Sequence, residues 1–267
     1  MKLTAKAKVN LRLKCVGKYE NGYHELEMIN KKINLSDYIE ITLSNQNELI
    51  YINSDLDPKK DTLVMDIVEY FQKEFCLMDK FKVVIEKHIP VGAGLGGGSS
   101  DAACVMNYLN NIYKLGLSKK QLIEIGKKYG ADIPYCLFDE DAVVRKTGED
   151  ITIIDIKIND DMFVIYPNIS ISTIEVFKNN TKFTSKSDLT DIKDIYNYLD
   201  NDLEEACMKV CPDIIDVRKY LNSFPHKGLV MSGSGSTYIM FSDKENSDYI
   251  YNELLKNKKW YIYKEEC

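Results

Sequence analysis

Five glycines fall within seven consecutive positions of a glycine-poor chain: Gly92, Gly94, Gly96, Gly97 and Gly98, out of 14 in 267 residues. They lie in the run Pro90-Val91-Gly92-Ala93-Gly94-Leu95-Gly96-Gly97-Gly98-Ser99-Ser100. Glycine has no Cβ, so such a backbone can take positive φ and approach a ligand closely. A helix that follows it presents free N–H groups and the positive end of its dipole. Together these make an anion site, most naturally for phosphates. Ser99 and Ser100 add hydroxyls able to cap the helix, touch phosphate or, one or the other, ligate a Mg2+ ion. An ordinary flexible turn is the plainer alternative, but a turn needs one or two glycines and each extra one is entropically costly.

The type of phosphate chemistry is narrowed by what surrounds the loop. Asp101 follows the serines where the Walker pattern G-x-x-x-x-G-K-[ST] requires lysine earlier in the run, so that pattern is absent. Gly92-x-Gly94-x-x-Gly97 matches the dinucleotide fingerprint literally. That fingerprint needs a second strand ending in an acid about 20 residues on, and here a helical pattern begins at Ser118 instead. Protein-kinase H-R-D and D-F-G do not occur in the chain. A loop without its own lysine needs cations from elsewhere. Phosphoryl transfer calls for a divalent metal, a basic group and an acid near the attacking hydroxyl, and composition alone does not select the last two.

The elements that must position the loop follow from periodicity. Val9, Leu11, Leu13 and Cys15 alternate with polar residues and predict a half-buried strand up to Gly17. Asn21-Gly22 is turn chemistry, and extended runs follow at 26–33 and 38–43. Leu63, Ile67, Phe71 and Phe75 recur at helical spacing, and 81–86 (FKVVIE) reads as a strand leading into the loop. Beyond the loop Ala102, Met106, Leu109 and Ile112 line one helical face, with Gly116 as its stop. Ser118 and Gln121 form a capping box for the next helix. Residues 141–165 read as extended. The second half reads as a short helix, a polar surface loop at 178–189, helices across 190–224, strands at 227–232 and 236–242, a helix at 244–256 and a last strand, WYIYK. Strands and helices mix without strict alternation, which favours α+β over a doubly wound sheet.

Composition excludes several classes. With 45% hydrophobic residues the chain can bury a large core, and its length suits one or two domains. A formal net charge of −6, with lysines interleaved among acids and only Arg12, Arg145 and Arg218 as arginines, argues against nucleic-acid binding. No apolar run is long enough to span a bilayer, and MKLTAKAKVNLRLK has no signal-peptide core. The expected location is cytoplasmic. Cys15, Cys76, Cys104, Cys136, Cys207, Cys211 and Cys267 are scattered, without C-x-x-C, and His24, His88 and His226 are not near them in sequence. Free thiols are expected rather than a zinc or disulfide framework.

The loop with its continuation, PVGAGLGGGSSDAA, resembles the phosphate loop of the GHMP kinases, small-molecule kinases named for galactose, homoserine, mevalonate and phosphomevalonate. Three further segments resemble the 4-diphosphocytidyl-2-C-methyl-D-erythritol kinases within that superfamily: Ala7-Lys8-Val9-Asn10-Leu11, Gly22-Tyr23-His24-Glu25-Leu26 and Gly130-Ala131-Asp132-Ile133-Pro134. Met231-Ser232-Gly233-Ser234-Gly235-Ser236 resembles the superfamily's third, glycine-rich motif. The motifs occur in family order from residue 7 to 236.

The resemblance implies a two-domain α+β GHMP-kinase fold: an N-terminal mixed-strand phosphate-loop domain over 1–160 and a C-terminal ferredoxin-like domain over 161–267. It implies ATP- and Mg2+-dependent phosphorylation of the 2-hydroxyl of 4-diphosphocytidyl-2-C-methyl-D-erythritol, in the non-mevalonate route to isoprenoid precursors. Asp132 takes the position of the family's catalytic acid and Lys8 that of its paired lysine. Pro90 through Ser100 hold the nucleotide. Tyr23, His24 and Phe177 take positions that recognise cytidine, Asn10 lies near the substrate's polar groups, and Ser232, Gly233, Ser234 and Gly235 line its phosphates or tetritol. A small-molecule substrate is the expected partner, with no nucleic acid or membrane, in a monomer or weak homodimer. Departures are Ala93 for a glycine, Thr62 for asparagine in D-N-L, and Lys146 for the first glycine of G-x-G-E. Rival readings are a GHMP kinase of another acceptor, a nicotinamide-dependent oxidoreductase and a non-catalytic nucleotide binder.

Overall fold

The computed structural model describes residues 2–189 and 191–266; Cys267 lies outside them. In chain order the elements are β1 (Lys2–Lys18), β2 (His24–Ser44), β3 (Glu48–Ile52), α1 (Leu63–Glu74), β4 (Lys80–Glu86), α2 (Gly97–Ile112), α3 (Lys119–Gly126), α4 (Ile133–Cys136), β5 (Ala142–Lys146), β6 (Asp150–Ile153), β7 (Asp161–Tyr166), α5 (Thr173–Asn179), a 3-10 turn (Ile195–Tyr198), β8 (Asp200–Asn201), α6 (Glu204–Val210), α7 (Asp213–Asn222), β9 (Gly228–Met231), β10 (Tyr238–Ser242), α8 (Lys244–Leu254) and β11 (Tyr261–Glu265). The chain forms two compact units interleaved in sequence rather than divided at one point. The first comprises residues up to Lys8, Ile33–Ile89 and Gly96–Asp139; the second comprises Val9–Lys32, Pro90–Leu95 and the chain from Glu140 onward.

In the first unit the later half of β2 pairs antiparallel with β4, Tyr38 opposite Glu86 through Ser44 opposite Lys80. β4 in turn pairs parallel with β3. Two helices cover this sheet. Val64, Ile67, Val68 and Phe71 of α1 and Ala102, Val105, Met106 and Leu109 of α2 share one core with Ile39, Ile41, Val83 and Ile85. The expected stripe on α2 stops one turn early, because Ile112 is exposed. The capping box of α3 forms as expected: the Ser118 hydroxyl accepts from the Gln121 N–H, and the Gln121 side chain accepts from the Ser118 N–H.

In the second unit the first half of β2 pairs antiparallel with β5, and β5 with β6. The runs at 26–33 and 38–43 are therefore one 21-residue strand, β2. A separate four-stranded sheet has the order β11-β7-β10-β9 with every pair antiparallel. Counting its strands along the chain gives 4-1-3-2 with helices between the first and second and between the third and fourth, which is the ferredoxin-like arrangement. Its central strands β7 and β10 are buried along their whole length.

One reading of polar sequence is corrected and another is extended. β1 is not half-buried: Lys8, Asn10, Arg12 and Lys14, the polar members of the alternation, are buried together with Val9, Leu11, Leu13 and Cys15. The segment 178–189 is not merely a surface loop. The Thr184 N–H donates to the Cys15 carbonyl, the Ser187 N–H donates to Glu27, and the Thr184 hydroxyl donates to the fully buried Asp202. Two of its residues, Thr184 and Ser187, thus satisfy buried partners, while Lys178, Asn179, Thr181, Ser185, Lys186 and Asp188 are exposed as a surface loop requires.

Candidate active site

Within the first unit, Lys8 Nζ lies 3.4 Å from Asp132 Oδ2. The lysine side chain is almost wholly buried, while that of Asp132 is 42% exposed, so the carboxylate is the member that a substrate can reach. Asp132 occupies the N-cap position of α4 yet makes no capping hydrogen bond, which leaves its oxygens for Lys8 and for a ligand. The turn that presents it is packed against Gly126, where no side chain fits, and lies in ordinary contact with Gly130. A Cβ at Gly126 would stand 2.7 Å from Ile133 Cγ2, and one at Gly130 would stand 3.4 Å from Ile133 Cδ1. The buried Ile133 side chain occupies that space and fixes the residue before it.

The exit of the glycine loop is set by the same neighbours. Gly96, in the left-handed region at φ +70, precedes α2, and a Cβ there would come 3.0 Å from Lys8 Cγ. The residue is glycine for both reasons: backbone conformation and the passing lysine stem. Gly97 opens α2 against the Ile89 side chain, 3.1 Å from where a Cβ would be. The buried Ser100 hydroxyl donates to the Lys6 carbonyl at 2.7 Å. Ser99 is only partly buried, and its hydroxyl is the one nearer to Gly130, 3.9 Å from that residue's Cβ position.

A cavity of about 760 Å³ in the same unit is lined by residues that include Asp61, Thr62, Leu63, Asp66, Lys128 and Tyr129. Leu63 Cδ2 also lies 4.0 Å from the Cβ position of Gly98, so the cavity adjoins the loop. Thr62, the residue found where asparagine was expected, points its hydroxyl at Asp66 Oδ2, 2.9 Å away. The oxidoreductase reading loses its context, since α2 is followed by α3 and α4 and not by a strand.

The second unit gathers the remaining predicted residues into two groups. In one, the entry half of the glycine loop lies directly on the C-terminal glycine motif. A Cβ at Gly94, φ +74, would be 3.5 Å from the Ser232 carbonyl and 3.6 Å from that of Gly235, and one at Gly233 would be 3.4 Å from Asn10 Oδ1. The Thr237 hydroxyl donates to the Ala93 carbonyl at 2.6 Å. The Asn10 N–H donates to the Ser232 hydroxyl, and Asn10 Nδ2 donates to Asn30 Oδ1 at 2.6 Å. Ser234 pairs with the Thr173 hydroxyl at 2.8 Å. Asn30, Thr173, Asn201 and Thr237 escaped the sequence reading because each partner is more than a dozen residues away; Asn201 Nδ2 donates to the Met231 and Gly233 carbonyls and holds the motif's shape.

In the other group His24 packs against two phenylalanines. Its ring centroid is 5.0 Å from that of Phe177, tilted, and 5.7 Å from that of Phe183, stacked within 8°. Burial, with Lys18 nearby, holds the His24 pKa below its ordinary value of 6.5, so the imidazole is neutral at pH 7 with one donor and one acceptor nitrogen. Phe183 was not foreseen, because it sits in the polar loop. Tyr23 is exposed at the turn beside His24.

The family model "GHMP kinases N terminal domain" matches residues 62–140, and "GHMP kinases C terminal" matches 184–259. A curated 4-diphosphocytidyl-2-C-methyl-D-erythritol kinase of Clostridium kluyveri is 34% identical, with 95% of each chain covered. One of Clostridioides difficile is 32% identical over 97% of this chain and 93% of its own, and one of Polynucleobacter asymbioticus is 33% identical over 97% and 90%. Among solved structures, a 4-(cytidine 5'-diphospho)-2C-methyl-D-erythritol kinase superposes over the whole of both chains at a TM-score of 0.83 and 24% identity. Mevalonate kinase of Methanococcus jannaschii gives 0.70 at 16%, covering 100% of this chain and 98% of its own. Motifs, fold and full-length identity agree: the chain belongs to the 4-diphosphocytidyl-2-C-methyl-D-erythritol kinase family of the GHMP kinases.

Proposed function

We propose that the protein transfers the γ-phosphoryl group of ATP to the 2-hydroxyl of 4-diphosphocytidyl-2-C-methyl-D-erythritol, giving the 2-phosphate and ADP, in the non-mevalonate route to isoprenoid precursors. The observation that carries this is the pairing of a buried ammonium with an accessible carboxylate, Lys8 and Asp132 at 3.4 Å, beside the exit of the glycine loop. Asp132 accepts the proton of the substrate hydroxyl as its oxygen attacks the γ-phosphorus. The bond from that oxygen to phosphorus forms as the bond from phosphorus to the β–γ bridging oxygen breaks, and ADP leaves. Lys8 stabilises the negative charge that develops on the attacking oxygen.

The N–H groups of the glycine loop hold the polyphosphate, and the cavity adjoining Leu63 takes the base. Mg2+, when bound with ATP, neutralises phosphate charge; it draws most of its ligands from phosphate and water. Of the two serines, Ser99 would be the one to contribute a hydroxyl, since it is partly exposed whereas Ser100 is buried. Asn10 and the motif Ser232, Gly233, Ser234 and Gly235 orient the acceptor. His24 reads the polar edge of cytosine between the aromatic faces of Tyr23 and Phe177. The enzyme works in the cytoplasm on small molecules, as a monomer or weak homodimer. No helix among the described residues is long and apolar enough to cross a membrane.

The test is a coupled ADP-release assay over an acceptor panel of the cytidylylated methylerythritol, homoserine, mevalonate and galactose. Turnover is expected with the first alone; comparable turnover of any other acceptor overturns the assignment.

A further inference from the structure

Lys87 and Asp101 flank the glycine loop, one four residues before Val91 and the other just after Ser100, and neither takes part in the chemistry described above. Both are buried, 7% and 1% exposed, together with Asp37, which is 0% exposed. Lys87 Nζ donates to Asp37 Oδ2 at 2.5 Å and to Asp101 Oδ2 at 2.8 Å. The other oxygen of Asp37 accepts from the His88 N–H at 2.6 Å and the Ile89 N–H at 2.8 Å, the last two amides before Pro90. Lys87 Nζ also lies 3.3 Å from the Cβ position of Gly97, the first residue of α2. The backbone entering the loop and the helix leaving it therefore meet on one ionic cluster.

We propose that Asp37, Lys87 and Asp101 are positioning residues that hold the two ends of the glycine loop at a fixed separation, so that its N–H groups are preset for the polyphosphate of a nucleoside triphosphate. This rests on the reading of the loop as the phosphate cradle. Energetics favour a positioning role over a purely stabilising one. Desolvating three charges offsets much of their attraction, and apolar residues of similar volume commonly stabilise a core as well or better. Here two acids share one cation, and Asp101 Oδ1 is buried with no hydrogen-bond partner among the described residues, an arrangement poorly suited to stability alone. Burial pushes the Asp101 carboxyl pKa up, against the pull of Lys87 and with a further push from Asp37 and Asp61. What the cluster does supply is direction: two backbone amides on one side and a helix start on the other. Displacing a binding group by about 1 Å costs up to about a hundredfold in rate, so a loop held loosely is a poor cradle.

The experiment measures kcat and both KM values, with melting temperatures, for Asp37→Ala, Asp37→Asn, Asp101→Asn and a cradle control, Gly98→Asp, which puts a negative charge on the loop itself. Asp37→Ala removes the acceptor of the two entry amides; its KM for ATP is expected to rise about tenfold while KM for the cytidylyl substrate stays within about twofold. Asp37→Asn keeps an acceptor oxygen and is expected to recover most of that loss. Asp101→Asn, isosteric and with the Lys87 bond retained, is expected to raise KM for ATP about threefold, and it decides the matter should Asp37→Ala not fold. Both KM values moving together, or lower melting temperatures with unchanged KM for ATP, overturn the proposal. If Gly98→Asp also leaves KM for ATP unchanged, the cradle reading has failed; if it raises that KM while the cluster variants do not, only the anchoring role has failed.

Discussion

In the proposed reaction a buried lysine beside an accessible aspartate divides the work between charge and proton. Lys8 is held by strand burial and by the narrow passage at Gly96, whereas Asp132 is free of any capping duty. Asp132→Asn therefore removes the proposed proton acceptor with little structural cost. Its kcat should fall about 10²–10⁴-fold with a melting temperature close to that of the parent, measured by ADP release and thermal unfolding. Retained turnover would remove Asp132 from its role. Gly96→Ala acts on the partner: its methyl must displace the Lys8 stem, and its φ of +70 disfavours any side chain. A loss in kcat of about tenfold or more is expected, by steady-state kinetics at saturating ATP.

At the scale of elements, α3 and α4 set the position of Asp132 through the contact of Ile133 with Gly126. Helix propensity alone makes Gly126→Ala stabilising by up to about 1 kcal/mol. The 2.7 Å contact predicts the opposite: overpacking costs about 1–3 kcal/mol, Ile133 shifts, and kcat falls with it. A variant with a raised melting temperature and normal kcat would show that the contact relaxes harmlessly. The same distinction between local and distant causes explains what could be read before folding. The capping box at Ser118 and Gln121 and the strand–loop–helix around the glycines are local patterns and are found where expected. Lys8 and Asp132, 124 positions apart, were paired only by resemblance. The buried polar face of β1, the anchoring of Thr184 and Ser187, and the cluster at Lys87 could not be read, because a charged residue in a strand looks solvated until its partner's position is known. Phe183 illustrates this: its neighbours are all polar, and only the fold brings it against His24.

At the scale of the whole molecule, each unit contains a buried carboxylate, and their responses to pH have opposite signs. In the second unit, burial would raise Asp202, but Lys14, the Thr184 hydroxyl and the Cys15 N–H outweigh it and hold its pKa below the ordinary 3.8. The folded chain keeps that charge where the unfolded chain is protonated, so its stabilisation is complete above pH 3.8 and is lost as pH falls through the folded value. In the first unit Asp101 is shifted up from 3.8, chiefly by burial. There the folded chain keeps a proton that the unfolded chain has released, so stability declines as pH rises from 3.8 through the raised value. Neither Asn variant titrates at these positions, so subtraction isolates each group. Asp202→Asn should melt below the parent by about 3 kcal/mol at pH 7, on the order of 5–10 °C for a chain of this size, with the gap closing toward pH 3. Asp101→Asn should gain on the parent as pH is raised from 4 to 9, because the parent alone must then ionise a buried carboxyl beside Asp37. Thermal unfolding of the three proteins from pH 3 to pH 9 checks both slopes, that of Asp202 below pH 3.8 and that of Asp101 above it. A parent-minus-variant difference that runs the same way with pH for both residues would mean that the buried charges of the first unit are paired as completely as those of the second.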